Sequence, residues 1–392
     1  MLSSIGSRFR VHQFVGAEPT WERAYIDSWT VVDLTETRDA SHFIAAAQRI
    51  APLHGVMSWD EARVLQVARV AEALGLPGVP PDRVMSTRDK HLTRTALATA
   101  GVPQPESALA GSVADALAVA DRFGYPVVLK PRAMAASLGV VRVDTPDELA
   151  ASFTFARDTL IPGAWHYDQV LVEEYLPDPE ISVDCAVHEG TVYPMCVAHK
   201  EIGYPPYFEE TGHVVYGADP LLHDPTLRGV LRDVHASLGF GTGFTHTEIK
   251  LTRSGPKIVE VNGRLSGGLI PYLAQQAGGV DSALAAAEVA CGLPPSTVPD
   301  RELVAAIRFF YPEHEDTRIG EIRIDRAALP STVDQMEALA GPGDVKSPPP
   351  KGTRWGRIAF ATAVARTAEE CRTALDAAAR ALTVEAAHAR VP

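Results

Sequence analysis

Short β-branched apolar runs alternate with helical patterns along most of this chain, and no other feature constrains its fold as strongly. Five segments match a capping box or its aspartate variant, in which a side chain accepts hydrogen bonds from the first free amides of a helix. They begin at Ser58, Ser86, Ser112, Thr145 and Thr367. Because strands such as VLVEEYL and ISVDCAVHE recur between helices, we predict an α/β protein with sheets and helices in layers.

Glycine and proline divide the chain into units. Gly75 and Gly124 follow helical patterns as left-handed residues do just past a helix end, and a strand is expected from Val127 to Pro131. We predict an N-terminal α/β domain over residues 1–85, a second unit over 86–164, a strand-rich unit over 165–295 and a C-terminal α+β extension over 296–392. The extension opens on the strand VAAIRFFYP and ends on the helix TAEECRTALDAAARAL.

Composition restricts the possible partners. The 392 residues carry 36 Lys and Arg against 49 Asp and Glu, a net charge of −13, which argues against nucleic acid as the main partner. No run of about 18 apolar residues predicts a membrane span, and the N-terminal segment lacks the apolar stretch of a signal peptide. The four cysteines form no CxxC pair, so we expect reduced, mostly buried thiols in a cytoplasmic protein.

Three familiar motifs fail when their context is checked. GFGTGF has GxGxG spacing and precedes a strand, so its glycines are expected in turns rather than in a dinucleotide loop. No GxxxxGK[ST] segment occurs, which excludes a P-loop in its usual form. AASLG approximates a nucleophile elbow around Ser137, but a strand pattern follows where an elbow needs a helix.

The segment around Ser137 is better interpreted as a small-residue hairpin loop between the strands VVLKP and GVVRV. Its amides and hydroxyl could close over phosphate oxygens, and Lys130 at the end of the preceding strand could neutralise them. A plain surface hairpin explains the same residues equally well.

An acidic pair gives the sharpest signal for chemistry. HTEIKLT and PKIVEVN are alternating strands joined by Arg253, Ser254 and Gly255, and a three-residue turn centred on Ser254 places Glu248 opposite Glu260. Facing like charges destabilise a sheet, whereas a divalent cation between them reverses that penalty. Asn262 and Arg264 continue the same face, so magnesium carrying substrate phosphates is expected here; a solvated polar face is the alternative.

In their order and spacing these blocks resemble the ATP-grasp carboxylate-amine ligases, most closely the bacterial L-amino acid ligases that make dipeptides. The resemblance covers roughly residues 40–380. It implies an ATP-grasp fold with an N-terminal Rossmann-like pre-ATP-grasp domain and a C-terminal α+β extension.

The resemblance assigns residues to ATP. STRDKHLTRTALATAG and GYPVVLKP supply two phosphate-binding lysines, and the loop after the second would cover the phosphates. VLVEEYLPDPE is similar to the adenosine-binding hinge of the family. The implied ATP-binding residues are Lys90, Lys130, Ser137, Gly139, Glu173, Glu174, Leu176 and Glu180. Alanines stand where the family usually has glycines in the loop, and alanine resists positive φ.

The resemblance also assigns metal and substrate residues. TEIKLTRSGPKIVEVNGRLSGG matches the block that holds two Mg²⁺ ions, for which Mn²⁺ could substitute. It implies Glu248, Glu260 and Asn262 as metal ligands, Arg264 and Lys130 as catalytic cations, and Gly267, Gly268, Glu210, His213 and Arg264 around the substrate. In the family's reaction ATP phosphorylates a carboxylate, and an amine then attacks the acylphosphate.

The partners implied are small-molecule carboxylates and amines, within a homodimer, with neither nucleic acid nor membrane. Two alternatives remain at this point. One is an ATP-grasp ligase for a non-proteinogenic acid or amine in natural-product or nucleotide biosynthesis. The other is a regulatory protein that binds ATP without turnover.

Overall fold

The computed structural model describes residues 1–35, 39–50, 52–160 and 165–387, so residue 164, at one predicted unit boundary, lies outside the described residues. The α-helices of the described chain are α1 Leu2–Gly6, α2 Ser41–Ile50, α3 Val64–Leu74, α4 Pro81–Arg88, α5 Lys90–Thr99, α6 Val113–Phe123, α7 Pro146–Asp158, α8 Pro225–Leu238, α9 Ile270–Gly278, α10 Ser282–Ala290 and α11 Ala368–Ala381. None is long and apolar enough to cross a membrane.

The strands alternate with these helices as the sequence predicts. They are β1 His12–Val15, β2 Ser28–Val31, β3 Ser107–Ala110, β4 Val127–Pro131, β5 Val141–Val143, β6 Val170–Glu174, β7 Glu180–His188, β8 Thr191–Gly203, β9 Glu209–Tyr216, β10 Gly243–Thr252, β11 Gly255–Asn262, β12 Val304–Phe310, β13 Thr317–Ile324, β14 Val333–Ala338, β15 Val345–Lys346, β16 Ala359–Ala365 and β17 Leu382–Ala386. Short 3₁₀ turns cover Trp21–Ala24, Pro220–His223, Arg326–Ala328 and Thr353–Gly356.

Two antiparallel sheets frame the molecule. One has eight strands in the order β11-β10-β7-β8-β9-β12-β16-β14, and the other has four in the order β3-β6-β4-β5. Near the N-terminus, β1 and β2 form a parallel pair, and β15, β13 and β17 form a small sheet near the C-terminus. The large sheet therefore joins strands from both sides of residue 295.

Both sheets are covered by helices through apolar side chains. Helices α5 and α8 cover one face of the eight-stranded sheet in a cluster that includes Leu97, Leu231, Ile181 and Ile249. Helices α6 and α7 cover the four-stranded sheet around Phe153. Burial of apolar surface contributes about 25 cal/mol per Å², which makes these clusters the main stabilising contribution. On the opposite face of the large sheet, apolar residues such as Ala186 and Phe244 pack with α10, and polar residues occupy the rest of that face near Glu248 and Glu260.

The local signals in the sequence meet mixed outcomes. Ser112 caps α6, and Thr367 with Glu370 forms a complete capping box on α11. The predictions at Ser58 and Ser86 are wrong. Helix α3 begins only at Val64, well after Ser58. Ser86 lies inside α4, so it does not precede a helix and cannot cap one. Asp89 caps α5 instead, by accepting from the amides of His91 and Leu92.

Two further expectations concern turns and thiols. Gly75 closes α3 in the left-handed conformation, and Gly239 of GFGTGF does the same for α8, so that motif is a turn. Cys185, Cys196 and Cys371 are buried free thiols, as expected. Strand β6 follows residue 164, where we predicted a unit boundary, yet it pairs with β3 and β4, which precede that residue. The boundaries of the units stay a prediction.

Candidate functional site

A cavity of about 1020 Å³ opens between the polar face of the eight-stranded sheet and the strands β4 and β6. Short segments from both ends of the chain complete its wall: residues 59–62 precede α3, and Arg354 and Arg357 follow β15. Exposed aromatic rings of Trp21, Tyr25 and Trp59 also face it. The cavity therefore draws on all four predicted units.

The polar face carries two rows of charged groups that run across neighbouring strands. In the first row, Glu260 of β11 pairs with Glu248 of β10, which pairs with Ser182 of β7. The second row lies two residues further along β10 and β7, where Lys250 pairs with Glu180. Because side chains alternate between faces with a period of two, both rows project toward the cavity while Ile181 and Ile249 project into the core.

The pairing of Glu248 with Glu260 agrees with the prediction, but the turn does not. Thr252 pairs with Gly255, so the turn has two residues, Arg253 and Ser254, rather than three. The register then shifts between Ile249, opposite Ile258, and Glu248, opposite Glu260. Val259 is thus the extra residue of a β-bulge, and this bulge restores the predicted pairing.

Lys200 of β8 contacts three glutamates of the site. Its ammonium group is 2.6 Å from Glu210, 2.6 Å from Glu248 and 3.1 Å from Glu180. The side chain is only 1% exposed, and although burial alone would lower its pKa, the three carboxylates raise the pKa well above its usual value. Lys200 therefore stays charged and offsets the acidic rows.

His246 continues the same face of β10 beside Glu248. Its Nδ1 lies 2.9 Å from Asp184 and its Nε2 3.4 Å from Glu248. Burial opposes protonation, but these two carboxylates raise the pKa of His246 to about 9. Asp184 also accepts a 2.5 Å hydrogen bond from the Ser266 hydroxyl, which fixes the start of the segment that contains Gly267 and Gly268.

The two predicted phosphate lysines lie in the cavity beside carboxylates. Lys130 of β4 is 2.6 Å from Glu173 of β6, and Arg94 of α5 is 2.6 Å from the other oxygen of Glu173. Lys90 is 3.2 Å from Glu260 and also donates to the carbonyl of Met134. The carboxylate of Glu173 is thereby occupied by two buried cations.

The loop between β4 and β5 adopts positive φ even at residues other than glycine. Ala136 and Ser137 have φ of 58° and 55°, and Gly139 has φ of 73°. Ser137 faces the cavity, whereas Gly139 does not: a Cβ there would lie 2.6 Å from Pro131. Gly139 therefore lets the hairpin close on its own strand rather than lining the cavity.

Arg264 and the glycines after it form another part of the wall. The Nε of Arg264 donates to Glu61 at 2.6 Å. An added Cβ at Gly267 would meet nothing within 4 Å, so its backbone is open to the cavity. At Gly268, with φ of 60°, an added Cβ would lie 2.5 Å from His213 Nε2. His213 is fully buried behind Gly268 and does not line the cavity.

Glu210 and its neighbour Glu209 differ in their partners. Glu210 faces the cavity, 3.6 Å from the His213 ring as well as beside Lys200. Glu209 is buried, accepts a 2.6 Å hydrogen bond from the Tyr311 hydroxyl and lies 3.3 Å from Arg357. Arg357 also donates to the carbonyl of Glu210 at 3.0 Å, so the C-terminal extension holds this corner of the site.

The structure thus brings together most residues that the sequence singled out. Those that line the cavity are Lys90, Lys130, Ser137, Glu173, Glu174, Leu176, Glu180, Glu210, Glu248, Glu260, Asn262, Arg264, Gly267 and Gly268. Sequence reasoning missed Lys200, Arg94, His246, Glu61 and the arginines of the extension. Most of their partners lie on other strands or units, so no local pattern identifies these residues. His246 is the exception, because period-two alternation in HTEIKL places it beside Glu248.

The donor set suits a hard divalent cation that also carries phosphate oxygens. Glu248, Glu260 and Asn262 supply oxygen atoms on two adjacent strands, and magnesium commonly takes only one or two carboxylates beside substrate phosphates. Among the described residues, no three His, Cys, Asp or Glu side chains cluster as a self-sufficient metal site.

The family follows from comparison with known proteins. The ATP-grasp N-terminal domain model matches residues 13–78, and the ATP-grasp domain model matches residues 123–271. The chain belongs to the ATP-grasp superfamily. The predicted resemblance and fold class are confirmed.

Two relatives match about two thirds or more of this chain. The chain is 29% identical over 335 residues to the uncharacterized protein y4rH of Sinorhizobium fredii, covering 84% of this chain and 67% of that protein. It is 26% identical to the alanine–anticapsin ligase of Bacillus subtilis, covering 68% of this chain and 61% of that ligase. The chain therefore spans about two thirds or less of these relatives.

A solved structure supports the fold over nearly the whole chain. The L-amino acid ligase from Bacillus licheniformis superimposes with a TM-score of 0.79 at 20% identity, covering 99% of this chain and 95% of that one. At this identity the similarity is one of fold.

Proposed function

We propose that this protein is an ATP-dependent ligase that joins the carboxylate of an L-amino acid to an amine and releases ADP and phosphate. The observation that carries the proposal is the facing pair Glu248 and Glu260, with Lys90, Lys130 and Arg264 around the same cavity. Phosphoryl transfer needs cations positioned around the transferring group, and this arrangement supplies them.

The nucleotide would lie between the two sheets. Glu174, Leu176 and Glu180 line the β6 side of the cavity, where adenosine would bind, and Ser137 would cover the phosphates. Lys90 and Lys130 already contact carboxylates, so they can exchange Glu260 and Glu173 for phosphate oxygens of similar charge. Glu248, Glu260 and Asn262 would hold Mg²⁺, which neutralises phosphate charge when bound.

The proposed reaction has two chemical steps. A carboxylate oxygen of the first substrate attacks the γ-phosphorus of ATP, and the bond to ADP breaks, giving an acylphosphate. The amine nitrogen of the second substrate attacks the acyl carbon, phosphate leaves with the bonding electrons, and the amine loses a proton. Arg264 would stabilise the negative charge in both steps, and the walls around the cavity would limit hydrolysis by water.

Glu210 is the proposed contact for the α-ammonium group of the first substrate. It already binds the ammonium of Lys200 through one oxygen, while its second oxygen lies 3.6 Å from the buried His213. His213 would act from behind Gly268 by orienting Glu210. Both substrates are proposed to be small molecules, and the protein to act as a homodimer.

A second candidate is a ligase of the same chemistry for a non-proteinogenic acid or amine. The similarity to a ligase named for alanine and anticapsin favours keeping it. A regulatory protein without turnover is less well supported, because the described site retains both facing carboxylates and the cations around them.

Phosphate release from Mg-ATP across a matrix of paired amino acids, followed by product masses, tests the proposal. Release that needs both partners, with a product mass equal to their sum minus water, supports ligation. If no pair, proteinogenic or not, stimulates release although ATP binds, the regulatory alternative replaces it.

A further inference from the structure

The tip of the β8–β9 hairpin, residues 204–208, reaches from the eight-stranded sheet to the edge of the four-stranded sheet. Strand β5 lies at that edge. The Arg142 amide of β5 donates to the Pro206 carbonyl at 2.9 Å, and Val141 pairs with Tyr207 as an antiparallel bridge. The hairpin tip therefore extends the smaller sheet by one short segment and covers part of its edge.

Side chains of the hairpin tip strengthen this attachment. Tyr207 is half-buried and packs against the apolar cluster of the four-stranded sheet, with its ring centre 5.5 Å from that of Phe155 in α7. The ring of Phe208 lies 6.3 Å from that of Tyr175, which follows β6. A residue of the larger sheet's hairpin thus belongs to the core of the smaller sheet, so separating the two would expose apolar surface to water.

The beginning of the hairpin tip is fixed beside Glu209. The Tyr204 ring lies 5.4 Å from that of Tyr311, whose hydroxyl donates to Glu209 at 2.6 Å. Tyr204 has φ of 59°, a left-handed conformation that bulky residues rarely adopt. Pro205 and Pro206 fix two further φ angles. The hairpin tip is therefore a stiff connection between the two sheets.

This connection joins two proposed parts of the site. Ser137, which would cover the phosphates, lies in the loop that leads into β5, and Glu210, which would bind the first substrate, follows the hairpin tip in β9. On its other side, the four-stranded sheet is attached through Lys257, 3.0 Å from Glu174 of β6. Without the hairpin tip, β5 and the Ser137 loop could turn away from the cavity about the β6 side.

We propose that Tyr207 is a positioning residue that holds the Ser137 loop over the nucleotide while Glu210 holds the first substrate. The inference rests on the proposed ligase function and adds to it the control of water access. With the connection intact, the amine reaches the acylphosphate. With the connection open, the oxygen of water attacks the acyl carbon instead, the bond to phosphate breaks, a proton is released, and the net reaction is hydrolysis of ATP.

The connection also makes the two binding events depend on each other. A ligand stabilises the arrangement to which it binds better. The nucleotide needs the Ser137 loop in place and the first substrate needs Glu210 in place, so each should bind more tightly when the other is present, by the same factor. Loss of the Tyr207 ring should reduce this mutual effect.

The test compares three variants. Tyr207→Ala removes the ring that packs in the smaller sheet, and Tyr207→Phe keeps it. Phe123→Ala removes another half-buried ring of the same apolar cluster, on α6, which packs on α7, β3 and β6. Calorimetry measures the binding of a non-hydrolysable ATP analogue with Mg²⁺, with and without the first substrate. The ratio of phosphate released to product formed is measured with a pair that the matrix above shows to be ligated.

Wild type and Tyr207→Phe should release phosphate and product in equal amounts. Tyr207→Ala should raise the ratio of phosphate to product at least about 5-fold and lose most of the mutual effect between the analogue and the first substrate, as expected when a typical coupling between two sites is lost. Phe123→Ala should lower the melting temperature without changing the ratio.

An unchanged ratio, or an unchanged mutual effect, in Tyr207→Ala overturns the inference. An equal rise of the ratio in Phe123→Ala also overturns it, because general loosening of the smaller sheet would then admit the water. If Tyr207→Ala does not fold, Arg142→Pro replaces it, since proline removes the amide that donates to the hairpin tip and is tolerated in edge strands. Arg142→Ala keeps that amide and is the control.

Failure of the proposed function gives a different result. If no pair is ligated, the ligase proposal fails, and binding of the analogue alone decides the role of Tyr207. Weaker binding in Tyr207→Ala than in Phe123→Ala would keep Tyr207 as the residue that positions the Ser137 loop. Equal binding in these two variants would remove that role as well.

Discussion

Glu248 and Glu260 face each other across the β10–β11 ladder because Val259 bulges out of β11. The carbonyls of Ile258 and Val259 at this bulge accept hydrogen bonds from Arg94 at 3.0 and 2.7 Å. The same guanidinium binds Glu173. The geometry of the proposed metal site is thus connected to the strand that carries a proposed nucleotide contact.

Removing one of the facing carboxylates should abolish turnover without unfolding the protein. We expect Glu260→Gln to reduce ATP-dependent phosphate release at least about 100-fold, because the cation would lose a ligand while the facing repulsion is relieved. Steady-state phosphate release and thermal melting measure the two effects. Glu321→Gln, at an exposed glutamate, is the control and should retain wild-type turnover. Unchanged release in Glu260→Gln would contradict the metal assignment.

Arg94→Met should destabilise the fold. It removes a 2.6 Å ion pair between two side chains that are each 4% exposed, and it leaves the carbonyls at the bulge without their donor. Breaking a buried pair typically costs about 3–5 kcal/mol. Urea unfolding should show this loss, whereas Arg323→Met, at an exposed pair, should change stability by less than about 1 kcal/mol. A loss as small as the control's would mean that Arg94 does not hold the bulge.

Lys200→Met should be strongly destabilising as well. Three carboxylates would lose their shared cation inside the site, a loss of at least about 3 kcal/mol. Mg²⁺ should recover part of that stability, because it would replace the missing charge beside Glu248. Melting with and without Mg²⁺ tests this, and Lys351→Met, at an exposed lysine, provides the comparison. A variant that melts like wild type in the absence of Mg²⁺ would rule out the role of Lys200.

Acidification should weaken the fold through His235. Its Nδ1 lies 2.6 Å from the Leu231 carbonyl, so that nitrogen donates and Nε2 accepts from the Thr245 hydroxyl at 2.7 Å. Burial lowers the pKa of His235 from 6.5 to about 4. Below pH 6.5 the unfolded chain binds the proton first, so stability is complete above that pH and falls by about 3 kcal/mol as pH drops through 4.

The pH effect can be isolated by substitution. His235→Gln should be less stable than wild type at pH 7, and the difference should shrink toward pH 4. Chemical unfolding of both proteins over this range measures it. A difference that is constant with pH would exclude His235 as the titrating group.

The adjacent glycines Gly267 and Gly268 should respond differently to alanine. Gly268→Ala places a Cβ at positive φ against His213 and should cost about 1–3 kcal/mol. Gly267→Ala meets no protein atom, so it should melt like wild type but raise the KM of a substrate, since its methyl group enters the cavity. Equal melting of both variants would show that the contact with His213 is not restrictive.

The sequence alone determined the features that depend on near neighbours. Hydrogen bonds and side-chain alternation within a few residues determine three such features. They are the caps at Ser112 and Thr367, the strand Val127–Pro131, and the hairpin that carries Glu248 and Glu260. The predicted turn length was wrong, although the predicted pairing of Glu248 with Glu260 was right. The bulge at Val259 compensates for the shorter turn, and its carbonyl is bound by Arg94, which lies far away in the chain. Ser86 was misplaced since a capping pattern does not show that the preceding residues are already helical.

Only the tertiary structure decided which groups meet. Lys200 contacts Glu180 and Glu248 because β8, β7 and β10 are neighbours in one sheet, and Arg357 reaches Glu209 because β12 and β16 extend that sheet. Strand order depends on long-range pairing and burial, which no local pattern encodes.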